Sequence, residues 1–559
     1  MDHIFPANDT FEKGFGTVAD AILSLNVAPA PYPEWDAAKG EFTVKSILRW
    51  LSSESDGKIY AVDQTLDAVQ TLTKSLANAD IANPVPSTLV KPGTDPYAGV
   101  GPFRYEHVNG YKDNAGAWHI TGMRSFGNFS YTDGRDVFAL APVRYVFHGI
   151  VDGKYRVACS DRPHVGYIPE DRSLRIDGTL EPFMCRAAFG ASKDSAGKPC
   201  SVAGAKLWTR SCSHNSMNES AKKKGSEYSG YTAADYDYLY EMNLLKYAHK
   251  SSQANFAGCS SHTEQTPVTV AGTGAPTVTI AKTVADKWPI GSAVMVGTTK
   301  VAGRDRGNAD AFDIADQANI VKKTVAGDNV VLTLDCGNIS TEVGQLVSTA
   351  PWNPGATVGI VGDGSPYDNK SGREPFTIQG IEVMLGAYEI LGDQLVKGED
   401  DGYGYYLVED TSKSATSVTA DYTKIFTLPL KSADGEMYPS AMVKAKGSLV
   451  PYGTGGSTGA GVGDGIWYYG GKKTNTYEVL VFGLLGNGSV AGLRRAFLNG
   501  WPGWAWWYIA SRVSPNGRNR SVYLPRSMRS HASPSADHQK PLSYPAGAAA
   551  STHRICKHR

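Results

Sequence analysis

Four of the eleven tryptophans of this 559-residue chain, Trp501, Trp504, Trp506 and Trp507, fall within seven residues. Each indole brings a large ring and an N–H that needs an acceptor, so a short irregular stretch cannot easily place all four in one core. At least one ring is therefore expected at the surface, where tryptophan and tyrosine serve as rigid contact residues. The alternative is that all four pack against neighbouring loops or against another copy of the chain.

The composition suits such a contact surface. There are 29 tyrosines and 11 tryptophans against 17 phenylalanines, with 61 glycines. Aromatics with a polar handle among small residues are typical of β-rich binding surfaces rather than of helical metabolic enzymes. Apolar residues at 41% and charged residues at 20% mark a folded chain, and its length predicts several domains. Basic and acidic residues balance at 55 each, so no global field favours nucleic acid or an anionic membrane. Between Arg512 and Arg559, however, nine Lys or Arg face only Asp537. That end is read as a solvated tail or as a partner for acidic patches, rather than as a nucleic-acid arm. No secretory signal is visible at the N-terminus, and no run approaches the roughly 18 apolar residues of a membrane span. The seven cysteines are odd in number and widely spread, which predicts folding in a reducing cytoplasm without a disulfide framework.

Five regions are expected. Residues 1–97 read as a helical attachment and oligomerisation region. Ile59, Val62, Leu66, Val69, Leu72 and Leu76 recur there at spacings of three and four, as either a packed surface helix or a short coiled-coil seam. Pro84, Pro86, Pro92 and Pro96 then mark a linker. Residues 98–265 carry strand-like runs at 118–121 and 143–148, followed by the clearest helix. Thr232 and Asp235 form its capping-box-like start, and Tyr236, Leu239, Tyr240, Asn243, Leu244 and Tyr247 line one face. Residues 266–350, with β-rich pieces at 277–280, 293–296, 320–325 and 330–334, read as a small inserted barrel or sandwich. Residues 351–515 return to aromatic strands at 403–408, 467–469 and 478–482. Their glycine-rich loop at 453–463 is either mobile or held by backbone contacts that only glycine allows. Residues 516–559 form the basic tail.

Searches for chemistry return little. Gly459-Ala460-Gly461-Val462-Gly463 lacks the Lys-Ser/Thr and the strand–turn–helix frame of a phosphate loop. Cys200, Cys212 and His214 lack the tight spacing of a zinc site and read as separate buried groups. Glu399-Asp400-Asp401 offers oxygens to a Ca²⁺ but reads as a solvated turn. No nucleophile elbow, paired-histidine zinc motif or Cys-x-x-Cys occurs. The chain is read as a non-enzyme with no metal and no cofactor.

The segment from Gly483 to Arg512 contains, in order, Asn487-Gly488-Ser489, Ala491-Gly492, Leu498-Asn499 and Trp507-Tyr508-Ile509-Ala510-Ser511-Arg512. It resembles the C-terminal variable region of the target proteins of phage and bacterial diversity-generating retroelements, with Ala510 where glycine is usual. The helix at Tyr236–Tyr247 with Lys250-Ser251-Ser252-Gln253 is similar to the early part of the same domain, so the likeness spans 200–265 and 355–515. The resemblance implies a C-type-lectin fold whose ligand-binding face varies at Gly486, Val490, Arg494, Phe497, Gly500, Trp504, Trp506 and Tyr508. Asn487, Gly488, Ser489, Trp507, Ser511 and Arg512 would be its scaffold. Variation arises at template adenines, and an asparagine codon changed only there cannot become tryptophan. Trp504 and Trp506 are thus fixed scaffold or derive from another codon. The calcium and sugar motifs of sugar-binding C-type lectins are absent, as is the reactive cysteine pair of the related formylglycine-generating enzymes.

The expected whole is an α+β, strand-rich multidomain chain: a helical N-terminal region and a C-type-lectin-like domain holding an inserted small β-barrel or sandwich. It would be a virion receptor-binding protein, on a tail fibre or head-attached fibre, made in the bacterial host cytoplasm. A homo-oligomer is expected, with a trimer favoured. The N-terminal region would bind other virion proteins and the display face a host cell-surface protein or glycan, without nucleic acid or membrane insertion. The rivals are a structural capsid or tail decoration protein and a glycan-degrading tail enzyme.

Overall fold

The computed structural model describes residues 32–298, 311–429, 434–470 and 475–521. The start of the expected N-terminal region and most of the basic tail lie outside these residues. Asp152 (φ 50°) and Gly153 (φ 77°) adopt the left-handed backbone that a two-residue hairpin turn requires, and so join strands Tyr145–Val151 and Lys154–Ser160. The second of these takes Tyr60–Gln64 along its other edge, and Thr73–Leu76 pairs outside that.

Here the structure corrects the helical reading of 59–76. The ladder offered by Lys154–Ser160 satisfies the backbone of Tyr60–Gln64, so tertiary pairing overrides the apparent helical spacing. The supposed stripe does not share a face: Val62 is fully buried, whereas Val69 is 51% exposed. Among the described residues before 98, the one helix is Val44–Ser53, capped by Thr43. Nor is the proline-marked stretch a free linker. Ser87 N–H donates to Asp363 O (2.8 Å) and Leu89 N–H to Pro366 O (3.0 Å). Residues 32–97 belong to the main fold, since Tyr60 and Val62 share a core with the central helix.

That helix, Ala233–Tyr247, starts at Thr232, whose hydroxyl accepts from Asp235 N–H. All fifteen of its residues are buried, because it lies between the Tyr60–Gln64 and Lys154–Ser160 strands and those of the C-terminal sheet. Its polar side is therefore paired rather than solvated: Asp237 with Arg494 (2.6 Å), Glu241 with Arg144 (3.1 Å) and Lys246 with Asp363 (2.6 Å). Burial pushes Glu241 up, but His148, Arg144 and Lys444 together hold it well below the usual carboxylate range.

The C-terminal sheet runs, in spatial order, Thr423–Leu428, Gly402–Leu407, Tyr388–Glu399, Thr476–Val481, Ala496–Gly500, Ile466–Tyr468, Gly435–Met437. Ile509–Ala510 pairs in parallel with the start of Tyr388–Glu399. Val513–Ser514 then closes onto Ser229–Gly230, just ahead of the central helix. The glycine-rich loop takes the held conformation rather than the mobile one. Gly461 (φ 65°) donates to Ala68 O, and a Cβ there would lie 2.5 Å from Pro439 O.

The described residues of 265–349 form a separate six-stranded antiparallel sheet. A bridge from Val270 to Thr279 brings its two ends together, giving a half-barrel. It has its own core, including Val278, Ile280, Trp288, Val294, Val296 and Leu332. Its first and last strands pair with each other, Gln265 opposite Ser348. At the other end of the chain, residues 516–521 are not tail: Asn519 Nδ2 donates to Glu181 (2.8 Å) and Arg520 N–H to Leu174 O (2.6 Å). No helix among the described residues is long and apolar enough to cross a membrane.

Candidate recognition face

Side chains alternate along a strand, so Ala496–Gly500 divides its residues between the two sides of the sheet. Ala496 and Leu498 enter the core beneath, with Ile466, Tyr468 and Val481. Phe497 points the other way, beside Trp467 of the parallel neighbour. Phe497 stacks on Tyr388 (centroids 5.2 Å, planes 27° apart), and Tyr388 meets Tyr508 edge-on at 6.3 Å. Tyr508 lies parallel to Trp506 (6.3 Å, 6°), and Trp506 meets Trp504 edge-on (6.3 Å, 85°). One aromatic row thus joins four of the expected face residues, Phe497, Trp504, Trp506 and Tyr508, through Tyr388. Phe497, Trp504 and Trp506 are half-buried and Tyr508 is almost covered. Trp501 is the exposed indole, at 47%, and it leans on Tyr477 rather than on the row.

Three expected positions are placed differently. Arg494 is buried beneath the face, donating to Asp237 and, at 3.0 Å, to Leu449 O, with its guanidinium over Tyr236. It precedes Ala496 and Leu498 at a spacing of two, so the strand turns it inward. Arg495, in step with Phe497, pairs with Glu436 instead. Gly500 is buried, and a Cβ there would stand 2.8 Å from Glu478 Oε1, so a larger side chain at this position requires Glu478 to shift. Tyr508 contributes chiefly through its neighbours, because Tyr388, Trp506 and Trp507 surround its ring. Of the rest, Gly486 is exposed, with Thr263 Oγ1 3.0 Å from where a Cβ would be, and Val490 is half-exposed on the neighbouring turn Gly488–Val490.

Four of the expected scaffold residues, Asn487, Gly488, Ser511 and Arg512, make hydrogen bonds or ion pairs. Asn487 Oδ1 accepts from Leu484 N–H (2.8 Å), and Gly488 (φ 58°) donates to Ser260 O (2.7 Å). Ser489 lies exposed on the turn and Trp507 is buried. Ser511 Oγ donates to Ile390 O (2.9 Å), and Arg512 makes a forked, buried pair with Glu389 (2.5 and 2.7 Å). Burial raises the Tyr388 hydroxyl's pKa, while Arg495 and Asn487 pull it back by hydrogen bonding.

Beneath Gly500, Glu478 accepts one bond from His214 N–H (3.3 Å), and burial pushes its carboxyl well above the usual range. Burial likewise lowers His214 to about 4 and raises the Cys212 thiol. Cys200 sits apart, against Ser192 Oγ (3.2 Å). The Cys200, Cys212 and His214 set therefore shows neutral buried groups. No cluster of three or more His, Cys, Asp or Glu among the described residues is arranged to hold a metal. Glu399 is engaged by Lys424 and the Tyr406 hydroxyl, which come from the strands Thr423–Leu428 and Gly402–Leu407.

Sequence reasoning missed Tyr388, Trp467, Arg495 and Glu436. For Arg495 the signal was present, because a period of two counted back from Phe497 selects it over Arg494. Tyr388 and Glu436 come from distant strands, and nothing local announces them. No family model matches the chain, and no curated protein is significantly similar to it.

Proposed function

We propose that this chain is a phage or prophage receptor-binding protein, and that it displays a C-type-lectin-like domain of the diversity-generating-retroelement kind. The observation that carries the reading is the convergence of Phe497, Trp504, Trp506 and Tyr508, taken from one irregular segment, into a single partly exposed row. The frame under that row is fixed by Arg512–Glu389 and Arg494–Asp237. Half-exposed, preorganised rings keep the ordering cost of binding low, which suits recognition rather than bond-making. Several copies on one particle would turn weak single contacts into avidity. The reading takes the chain as a non-enzymatic virion component.

Two measurements test it. Purified protein should adsorb to host bacteria, with Phe497→Ala and Trp506→Ala each weakening adsorption at least tenfold while the fold stays intact. Adsorption untouched by both changes would favour a structural decoration protein. The neighbouring genome should carry a reverse transcriptase and an imperfect copy of the DNA for residues 483–512 that differs at adenines.

A further inference from the structure

The aromatic row does not end at Trp504. Arg210 holds a left-handed backbone (φ 56°) and donates its N–H to Trp506 O at 2.9 Å. Such strained positions persist where the surroundings over-determine them, and they cluster at functional sites. The Arg210 guanidinium reaches the opposite way, into the inserted β-unit. It forks onto Asp316 (3.0 and 3.1 Å) and lies 3.5 Å over the Phe312 ring. Lys206 adds a bond to Asp316 O (2.7 Å). Phe312 packs on the apolar cluster that also takes Trp504 and Trp506. All five residues, Arg210, Phe312, Asp316, Trp504 and Trp506, keep partial exposure. One arginine thus ties the segment that carries Trp506 to the inserted unit.

We propose that the inserted β-unit is a second wall of the recognition face, with Arg210 as the positioning residue. Phe312 and Asp316 contact the same partner as Phe497, Trp504 and Trp506, an inference that rests on the receptor-binding reading above. The partner is a polypeptide surface. The row joins its rings by offset-parallel and edge-on contacts, Tyr388 with Phe497, Tyr508 with Trp506 and Trp506 with Trp504. Beside it stands the forked guanidinium–carboxylate pair of Arg210 and Asp316, so the patch mixes aromatic rings with both charges. Tryptophan, tyrosine and arginine in such a cluster are the residues that dominate protein–protein contacts.

The test uses the full chain, fluorescently labelled, and its adsorption to a panel of live bacterial strains that are untreated, shaved with proteinase K, or oxidised with periodate. Wild type is expected to adsorb to a subset of strains, to lose this on shaving and to keep it after periodate. Phe312→Ser, Asp316→Ala and Arg210→Ala are each expected to weaken adsorption about tenfold with unchanged thermal unfolding, and Arg210→Lys to recover part of the loss. Asp316→Asn, a change at a partly exposed site, serves if Phe312→Ser fails to fold. Wild-type adsorption by the insert variants, with loss for Trp506→Ala, would overturn the second wall and leave the receptor-binding reading standing. Loss on periodate instead of shaving would overturn the polypeptide partner. Adsorption to no strain would overturn the receptor-binding reading, and the wall with it.

Discussion

Gly500 and Asp464 show how tightly single residues are held around the face. A side chain at 500 runs into Glu478 Oε1 at 2.8 Å and Leu480 Cδ1 at 3.2 Å. Gly500→Val should therefore destabilise the fold by about 1–3 kcal/mol through overpacking. Glu478→Ala in the same chain should recover part of that, read as the shift in denaturant midpoint. Asp464 lies under the Arg494–Arg495 pair, and burial raises its pKa from 3.8 to about 8. Between these values the native chain keeps a proton that the unfolded chain has released. This residue's contribution to stability therefore falls as pH rises across the window, by up to about 1.4 kcal/mol per pH unit, and levels off above it. Unfolding free energies of Asp464→Asn and wild type, measured from pH 4 to 8, should diverge in favour of the variant as pH rises.

At the scale of elements, the central helix was legible because its cap and its spacing are local. Thr232→Ala should cost about 1 kcal/mol by freeing the Asp235 N–H, measurable as a lower melting temperature. What its sequence does not carry is that both faces are covered: Asp237, Glu241 and Lys246 look like a solvated side until their partners arrive from residues 494, 144 and 363. The strands of the insert and of the C-terminal sheet were likewise readable from runs bounded by glycine. The segment 59–76 was not, since its spacing fits a helix and only the edge of a hairpin about a hundred residues away makes it a strand. The same limit applies to the face. Residues 497–508 announce themselves by composition, whereas Tyr388, which links Phe497 to Tyr508, is placed purely by sheet order.

At the scale of the whole molecule, the insert stands as a guest with its own core. Residues 264–350 expressed alone should fold, with a cooperative thermal transition and dispersed amide resonances, because their apolar cluster closes without the host. A broad, non-cooperative transition would show that the host completes that core. The guest's first and last strands lie side by side, with Gln265 opposite Ser348. The host chain consequently meets the same two endpoints whatever the guest's length. Its hairpins can lengthen, shorten or be exchanged as a block without asking the host to close a wider gap. Under the proposed receptor-binding function, such an architecture has two separate routes of change: substitution of a ring alters what the face feels, and replacement of the guest alters how far it reaches.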